Sequence, residues 1–166
     1  MTNLSVSSPP VIDTSPLIFL TKAQRLDLLR LNYSSVLVPE TVALEIQQYG
    51  STDITWRALQ NNNWLKIVEI SSIPQSIQRC ALDPGESTVL AWAVQYPGTE
   101  AILDDLAGRR CAQQLGLSVR GTLGLVLAAK KRGQIDAARP VIRELKQAGM
   151  YLSDRVINQA LAMVGE

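Results

Sequence analysis

Val11-Ile12-Asp13-Thr14-Ser15-Pro16 carries two structural signals and one chemical one. Val11-Ile12 is a short apolar run of the kind that forms a buried strand, and Asp13 ends it. Thr14-Ser15-Pro16 then offers a hydroxyl cap with proline at a first helical position. A strand passing straight into a helix opens an α/β unit, and the same alternation recurs outward from it. Ser35 to Val38 before Pro39 reads as a strand, and Pro39 and Thr41 open a helix carrying Val42, Glu45, Ile46 and Tyr49 that Gly50 stops. Further helices are expected over Ala23–Leu31 and around Trp56–Gln60, and a strand over Trp64–Ile70. Leu82-Asp83-Pro84-Gly85-Glu86 turns into a helix over Ser87–Gln95, which Tyr96-Pro97-Gly98 closes. Ala101-Ile102-Leu103 is a short strand ending in Asp104-Asp105, followed by a helix to Gln114 and a brief strand at Leu117–Val119. Helices over Thr122–Arg132, Pro140–Ala148 and Asp154–Met163 complete the pattern. Alternating strands and helices predict an α/β domain with a mainly parallel sheet, whose ligand site lies beyond the carboxyl ends of the strands.

The chain has 166 residues, 46% of them apolar and 19% charged, which suits one folded domain. Residues 1–10 are a Ser/Pro-rich lead-in expected to be flexible, and 11–166 form a single domain that includes the C-terminal helices. Histidine is absent, so triad hydrolysis, Cys-His proteolysis, His-pair nucleases and HExxH metalloenzymes are excluded. Cys80 and Cys111 lie 31 positions apart with no CxxC, so the spacing suggests neither a zinc site nor a dithiol redox motif. Met1 to Pro10 lacks the positive start of a secretory signal, so a cytoplasmic location is the expectation. The longest charge-free run, Ser87 to Thr99, is 13 residues, short of the ~20 needed to span a membrane. Net charge is +1, but Arg109 to Lys146 holds nine cations against two acids, leaving the rest of the chain acidic. Such asymmetry is compatible with an acidic site beside a surface for a polyanion, and equally with a solvated helix face.

The acids decide the chemistry. Asp13 and the Asp104-Asp105 pair end strands, and in an open parallel sheet they reach one rim; singly, each is also a normal helix cap. Glu45 lies three residues after Val42 and four before Tyr49, in the apolar stripe of its helix, where a charge is paired or metal-bound, or else stands at a partly exposed edge of the stripe or beside a structural arginine. Glu86 completes a capping-box spacing with Asp83, and the same turn presents it near the rim. Four or five carboxylates converging there cannot all stay ionised without a cation. All-oxygen ligation selects Mg²⁺ or Mn²⁺, and a histidine-free acidic site of that kind suits phosphodiester hydrolysis.

Val11-Ile12-Asp13-Thr14-Ser15-Pro16-Leu17-Ile18, Val38-Pro39-Glu40-Thr41-Val42 with Glu45, Leu82-Asp83-Pro84-Gly85-Glu86 and Leu103-Asp104-Asp105-Leu106-Ala107-Gly108-Arg109, continued by Gly116-Leu117 and Gly121-Thr122-Leu123-Gly124, together resemble the PIN-domain superfamily. More narrowly, they look like its prokaryotic nucleic-acid-binding branch related to the VapC toxins. The resemblance covers nearly Val11 to Ser153. It implies a three-layer α/β/α sandwich and a Mg²⁺- or Mn²⁺-dependent endoribonuclease acting on single-stranded RNA or RNA loops. Asp13, Glu45, Asp104 and Asp105 match the family's metal-binding acids, without a choice between the last two. Glu86 stands where VapC-type members usually carry aspartate, which leaves one or two ions open. Within that reading Asp13 and one of Asp104 and Asp105 bind the principal ion, and Glu45 and Glu86 complete its shell. Thr14 either donates to a ligand carboxylate or caps its helix, and Thr122 either meets phosphate or caps. Arg109 and Arg110 steer RNA or neutralise the acids.

Lys130, Lys131 and Arg132 end a helix, where the macrodipole alone favours them. Val156, Ile157, Ala160, Leu161 and Val164 form a stripe that is core or a homodimer face. A toxin-like enzyme held by an antitoxin, a non-catalytic RNA- or protein-binding PIN-like module, and a haloacid-dehalogenase-type phosphatase are the alternatives. The phosphatase ranks lowest, because Ser15 occupies the position of the second aspartate in its Asp-x-Asp pair.

Overall fold

A computed structural model describes residues 8–166, so most of the lead-in, residues 1–7, lies outside the described residues. Pro10, at the end of that lead-in, is buried next to the first strand, and its carbonyl accepts from the Leu37 amide at 2.8 Å. The strands are β1 (Val11–Ile12), β2 (Val36–Pro39), β3 (Leu65–Val68), β4 (Ala101–Ile102) and β5 (Val119–Arg120). They form one sheet in the order β3-β2-β1-β4-β5, every pairing parallel. Val11, Ile12, Ala101 and Ile102 are fully buried, as central strands covered on both faces must be.

The helices are α1 (Thr14–Lys22), α2 (Asp27–Asn32), α3 (Glu40–Gln47), α4 (Ile54–Asn61), α5 (Gln75–Gln78), α6 (Pro84–Gln95), α7 (Leu106–Gln114), α8 (Thr122–Lys131), α9 (Ala138–Gln147) and α10 (Asp154–Met163). Their contacts fall into two groups, α2, α8, α9 and α10 in one and α3 to α7 in the other, with α1 touching members of both. The result is the parallel α/β sheet expected from the alternation of elements, in the three-layer α/β/α sandwich that the resemblance implied.

Several boundaries differ from the sequence reading for local reasons. The second helix starts at Asp27 instead of Ala23, because Ala23 caps α1 and Gln24 turns left-handed at φ 56°. The single-turn helix α5 carries no periodic signal in the sequence and was not expected. The apolar stripe of α10 divides: Ala160 and Leu161 are buried, while Val156 is exposed. At the C-terminus, the Glu166 carboxylate accepts from the amides of Ala138 and Arg139 and so caps α9, a long-range cap with no local signature.

The sheet order matters for function. From β1 the chain winds outward to β2 and β3, then crosses back to β4 and β5 on the other side. The switch point therefore lies between β1 and β4, and crevices at the carboxyl ends of such strands are where open α/β sheets bind ligands. Asp13 follows β1 directly, and Asp104 follows β4 by two residues. No helix among the described residues is long and apolar enough to cross a membrane.

Candidate functional site

Asp13 occupies the N-cap position of α1 but makes no side-chain capping bond. Its carboxylate is turned to the switch-point crevice and is only 5% exposed. Burial, opposed by the Thr14 amide and reinforced by Asp83, Glu45 and Asp104, pushes its carboxyl up to about 7. Thr14 does not cap either: its hydroxyl donates to Glu45 Oε2 at 2.8 Å and so ties α1 to α3. Glu45 itself is exposed, not sunk in an apolar stripe as its spacing suggested. The stripe of α3 runs through Val42, Ala43 and Ile46, and Glu45 sits at its edge, reaching the crevice through the Thr14 bond.

The Asp83-Pro84-Gly85-Glu86 turn behaves as its sequence indicated. Asp83 Oδ1 accepts from the Glu86 amide at 2.8 Å, with Pro84 at the first helical turn. Glu86 is buried, and burial together with Asp83, Asp105 and Asp13, set against the Asp83 amide, pushes its carboxyl up to about 7. Gly85 is buried between these acids. A Cβ built on it would stand 3.1 Å from Glu45 Oε2, 3.2 Å from Asp13 Oδ1 and 3.5 Å from Asp83 Oδ1. Three carboxylate oxygens, from the end of β1, from α3 and from the cap of α6, thus face one small space that only glycine leaves open.

The two adjacent aspartates divide their work. Asp104 accepts from the Thr122 amide and from the Thr122 hydroxyl, both at 2.7 Å. Burial raises its carboxyl above the usual range, while Thr122 and the Arg109 guanidinium pull the other way. Asp105 is exposed and caps α7 through Oδ2, which accepts from the Gly108 amide at 3.1 Å. Arg109 packs beside Asp104 across Gly121, where a Cβ would meet its Nη1 at 2.9 Å. Arg110 is exposed on α7. Thr122 is fully buried with both polar groups given to Asp104, so it orients a carboxylate and does not face a phosphate.

Sequence reasoning gave Asp83 only a capping role, yet one of its oxygens faces the space at Gly85. The legible signal was Gly85 itself, since a capping box does not require glycine at that position. Cys80 and Cys111 are joined in a disulfide with Cα atoms 6.1 Å apart, a pairing the 31-residue spacing did not suggest. The bridge fastens the segment before Asp83 to α7, so the loop it closes contains Asp83, Glu86, Asp104 and Asp105.

The PIN domain model DUF3368 matches residues 9–166, nearly the whole chain and every acid described above. The chain belongs to the PIN-domain family. A search of curated proteins found no match. PIN domains form a nuclease-type superfamily that generally uses divalent metals and acts on nucleic acids. In this PIN domain the donors at the crevice are all carboxylate oxygens, the chemistry that suits a hard divalent ion. Among the described residues no group of three or more acids stands close enough together to hold a metal ion as it is. Mg²⁺ keeps several waters and often takes only one or two carboxylates directly, so the cradle at Gly85 fits such an ion without a closed cage.

Proposed function

We propose that this PIN domain is a Mg²⁺- or Mn²⁺-dependent endoribonuclease that hydrolyses single-stranded RNA at the crevice between β1 and β4. The observation that carries the reading is the convergence of Asp13, Glu45 and Asp83 on the space left by Gly85, beside Glu86 and Asp104. Asp13 and Asp104 are the inner holders of the ion, with Glu45 and Glu86 completing its surroundings directly or through water. Asp105 adds negative charge at the edge of the site while capping α7.

When bound, the ion supplies Lewis-acid polarisation and charge neutralisation for in-line attack of water on the phosphodiester. The chain's own residues do the rest. Thr14 holds Glu45 in place, and Thr122 with Arg109 holds Asp104. Glu86, in the first turn of α6, accepts the proton that leaves the attacking water as the new P–O bond forms, and the leaving oxygen takes up a proton from solvent as its bond to phosphorus breaks. Arg109 and Arg110 on α7 offer cations to the flanking phosphates. A toxin-like role in the cytoplasm, silenced by an antitoxin protein, is the biological setting we infer from the resemblance to VapC-related proteins.

The test is incubation of the purified protein with a diverse single-stranded RNA pool in Mg²⁺, in Mn²⁺ and in chelator, beside Asp13→Asn. Cleavage that requires metal and falls at least a hundredfold in the variant supports the reading. Absence of both cleavage and metal binding sinks it and leaves a non-catalytic binding module.

A further inference from the structure

A cavity of about 380 Å³ opens directly beside the acids, with Glu45, Asp83 and Gly85 forming its inner wall. Its outer walls are Thr41, Leu44, Gln48 and Pro84. A second hollow of about 680 Å³ shares Thr41 and Pro84 with it and continues past Ser71 and Ser72. The hollows adjoin at Thr41 on α3 and Pro84 on α6, and the first of them forms a groove beside the acids. Its size is that of pockets that take small organic groups.

The charge distribution says which part of a nucleic acid suits it. Among the described residues no lysine or arginine lines either hollow, and the inner wall carries two carboxylates, so the groove itself offers phosphate no partner. The cations Arg109 and Arg110 lie instead on α7, which follows β4, whereas α3 follows β2; these strands flank β1 on opposite sides. A strand crossing the acids therefore meets cations on one flank and a groove without cations on the other. Leu44 is 53% exposed although it lies next to the buried face of α3, which gives the groove an apolar wall opposite Pro84. Gln48 brings an amide, donor and acceptor together, to the same mouth.

We propose that this groove seats a nucleobase adjoining the scissile phosphate, with Leu44 and Pro84 against its faces and Gln48 at its hydrogen-bonding edge. Base faces are apolar and sequence-tolerant in stacking, whereas an amide reads the base edge, so the site both anchors RNA and sets a base preference. The proposal rests on the endoribonuclease reading and adds to it the residues that choose where the strand is cut.

The experiment uses a defined single-stranded RNA whose cut position has been mapped, with nucleotides on either side replaced one at a time by abasic ones. One abasic position is expected to lower kcat/KM about tenfold with the native protein. That position is expected to cost nothing further with Leu44→Ser/Gln48→Ala, whose own kcat/KM on the intact RNA falls by a similar factor. Both residues are exposed, so the variant is expected to match the native protein in circular dichroism and in Mn²⁺ affinity. An abasic penalty that persists undiminished in the variant, or a variant with unchanged kcat/KM, overturns the proposal while the endoribonuclease reading stands. A loss of Mn²⁺ affinity in the variant also overturns it, because the effect then runs through Glu45. A native protein that cuts no RNA removes the endoribonuclease reading and this proposal together.

Discussion

At Asp13, burial and three neighbouring carboxylates all favour the protonated form, and only the Thr14 amide opposes them. Its carboxyl titrates at about 7 in the folded chain, against an ordinary value of 3.8 once unfolded. The folded state therefore holds the extra proton between those values, and stability without metal falls as pH rises from about 4 through 7. For Asp13 the loss is on the order of 4 kcal/mol, and Glu86 acts in the same direction. Urea midpoints in chelator should drop between pH 5 and pH 8, and Asp13→Asn should flatten that slope; a midpoint that rises over the range in both proteins contradicts the reading. The same protons compete with a cation, so Mg²⁺ affinity should increase from pH 6 to pH 8 with proton release. At Asp104 the constraint is a hydrogen bond. Thr122→Val removes the hydroxyl from a half-buried carboxylate, for an expected cost of about 1–3 kcal/mol in denaturant titration, with weaker metal binding besides.

Among the elements, β1 and the turn into α6 were legible in the sequence because each is written in adjacent residues. Val11-Ile12-Asp13 and Asp83-Pro84-Gly85-Glu86 carry their strand, cap and proline signals locally, and the structure places both as read. Asp13, Glu45, Glu86 and Asp104 were found as candidates for the same reason: each ends a strand or sits in a helix beside one. What escaped depends on contacts between distant segments. Whether Asp13 caps or faces the crevice, that Thr122 serves Asp104 across 18 positions, and that Cys80 meets Cys111 are facts of packing. So is the exposure of Glu45, since helical spacing places a residue on a face without fixing how far its carboxylate reaches. The disulfide yields a prediction at this scale. Closing a loop between positions 31 apart restricts the unfolded chain, and in the chain-entropy model its reduction costs about 3–4 kcal/mol. Cys80→Ser/Cys111→Ser should melt several degrees lower than the oxidised protein, and identical melting curves would show that the bridge adds nothing to stability.

Over the whole molecule, the basic run from Arg109 to Lys146 shrinks as a polyanion surface once its partners are seen. Arg120 pairs with Glu100, Lys130 donates to the Asp136 carbonyl and Arg132 to Asn32, while Arg109 stands beside Asp104 and Arg110 follows it, exposed, on α7. Binding of single-stranded RNA should then show a shallow salt dependence, a slope of about −1.5 in log affinity against log salt for two phosphate contacts, reduced by about 0.7 in Arg110→Ala. A slope several times steeper would place the RNA on the distal basic helices instead. Gly85 lies where acids from the end of β1, from α3 and from the cap of α6 approach one another, so a substitution there tests the assembled site without removing a carboxylate. The decisive measurement is calorimetric titration of Mn²⁺ at pH 7.5 into the native protein, Asp13→Asn and Gly85→Ala. The added Cβ of Gly85→Ala would stand 3.1 Å from Glu45 Oε2 and 3.2 Å from Asp13 Oδ1, so circular dichroism and a melting curve first establish that the variant is folded. The account predicts Mn²⁺ binding by the native protein that weakens at least tenfold in both variants. Undiminished binding in Gly85→Ala, or no binding by the native protein, would contradict it.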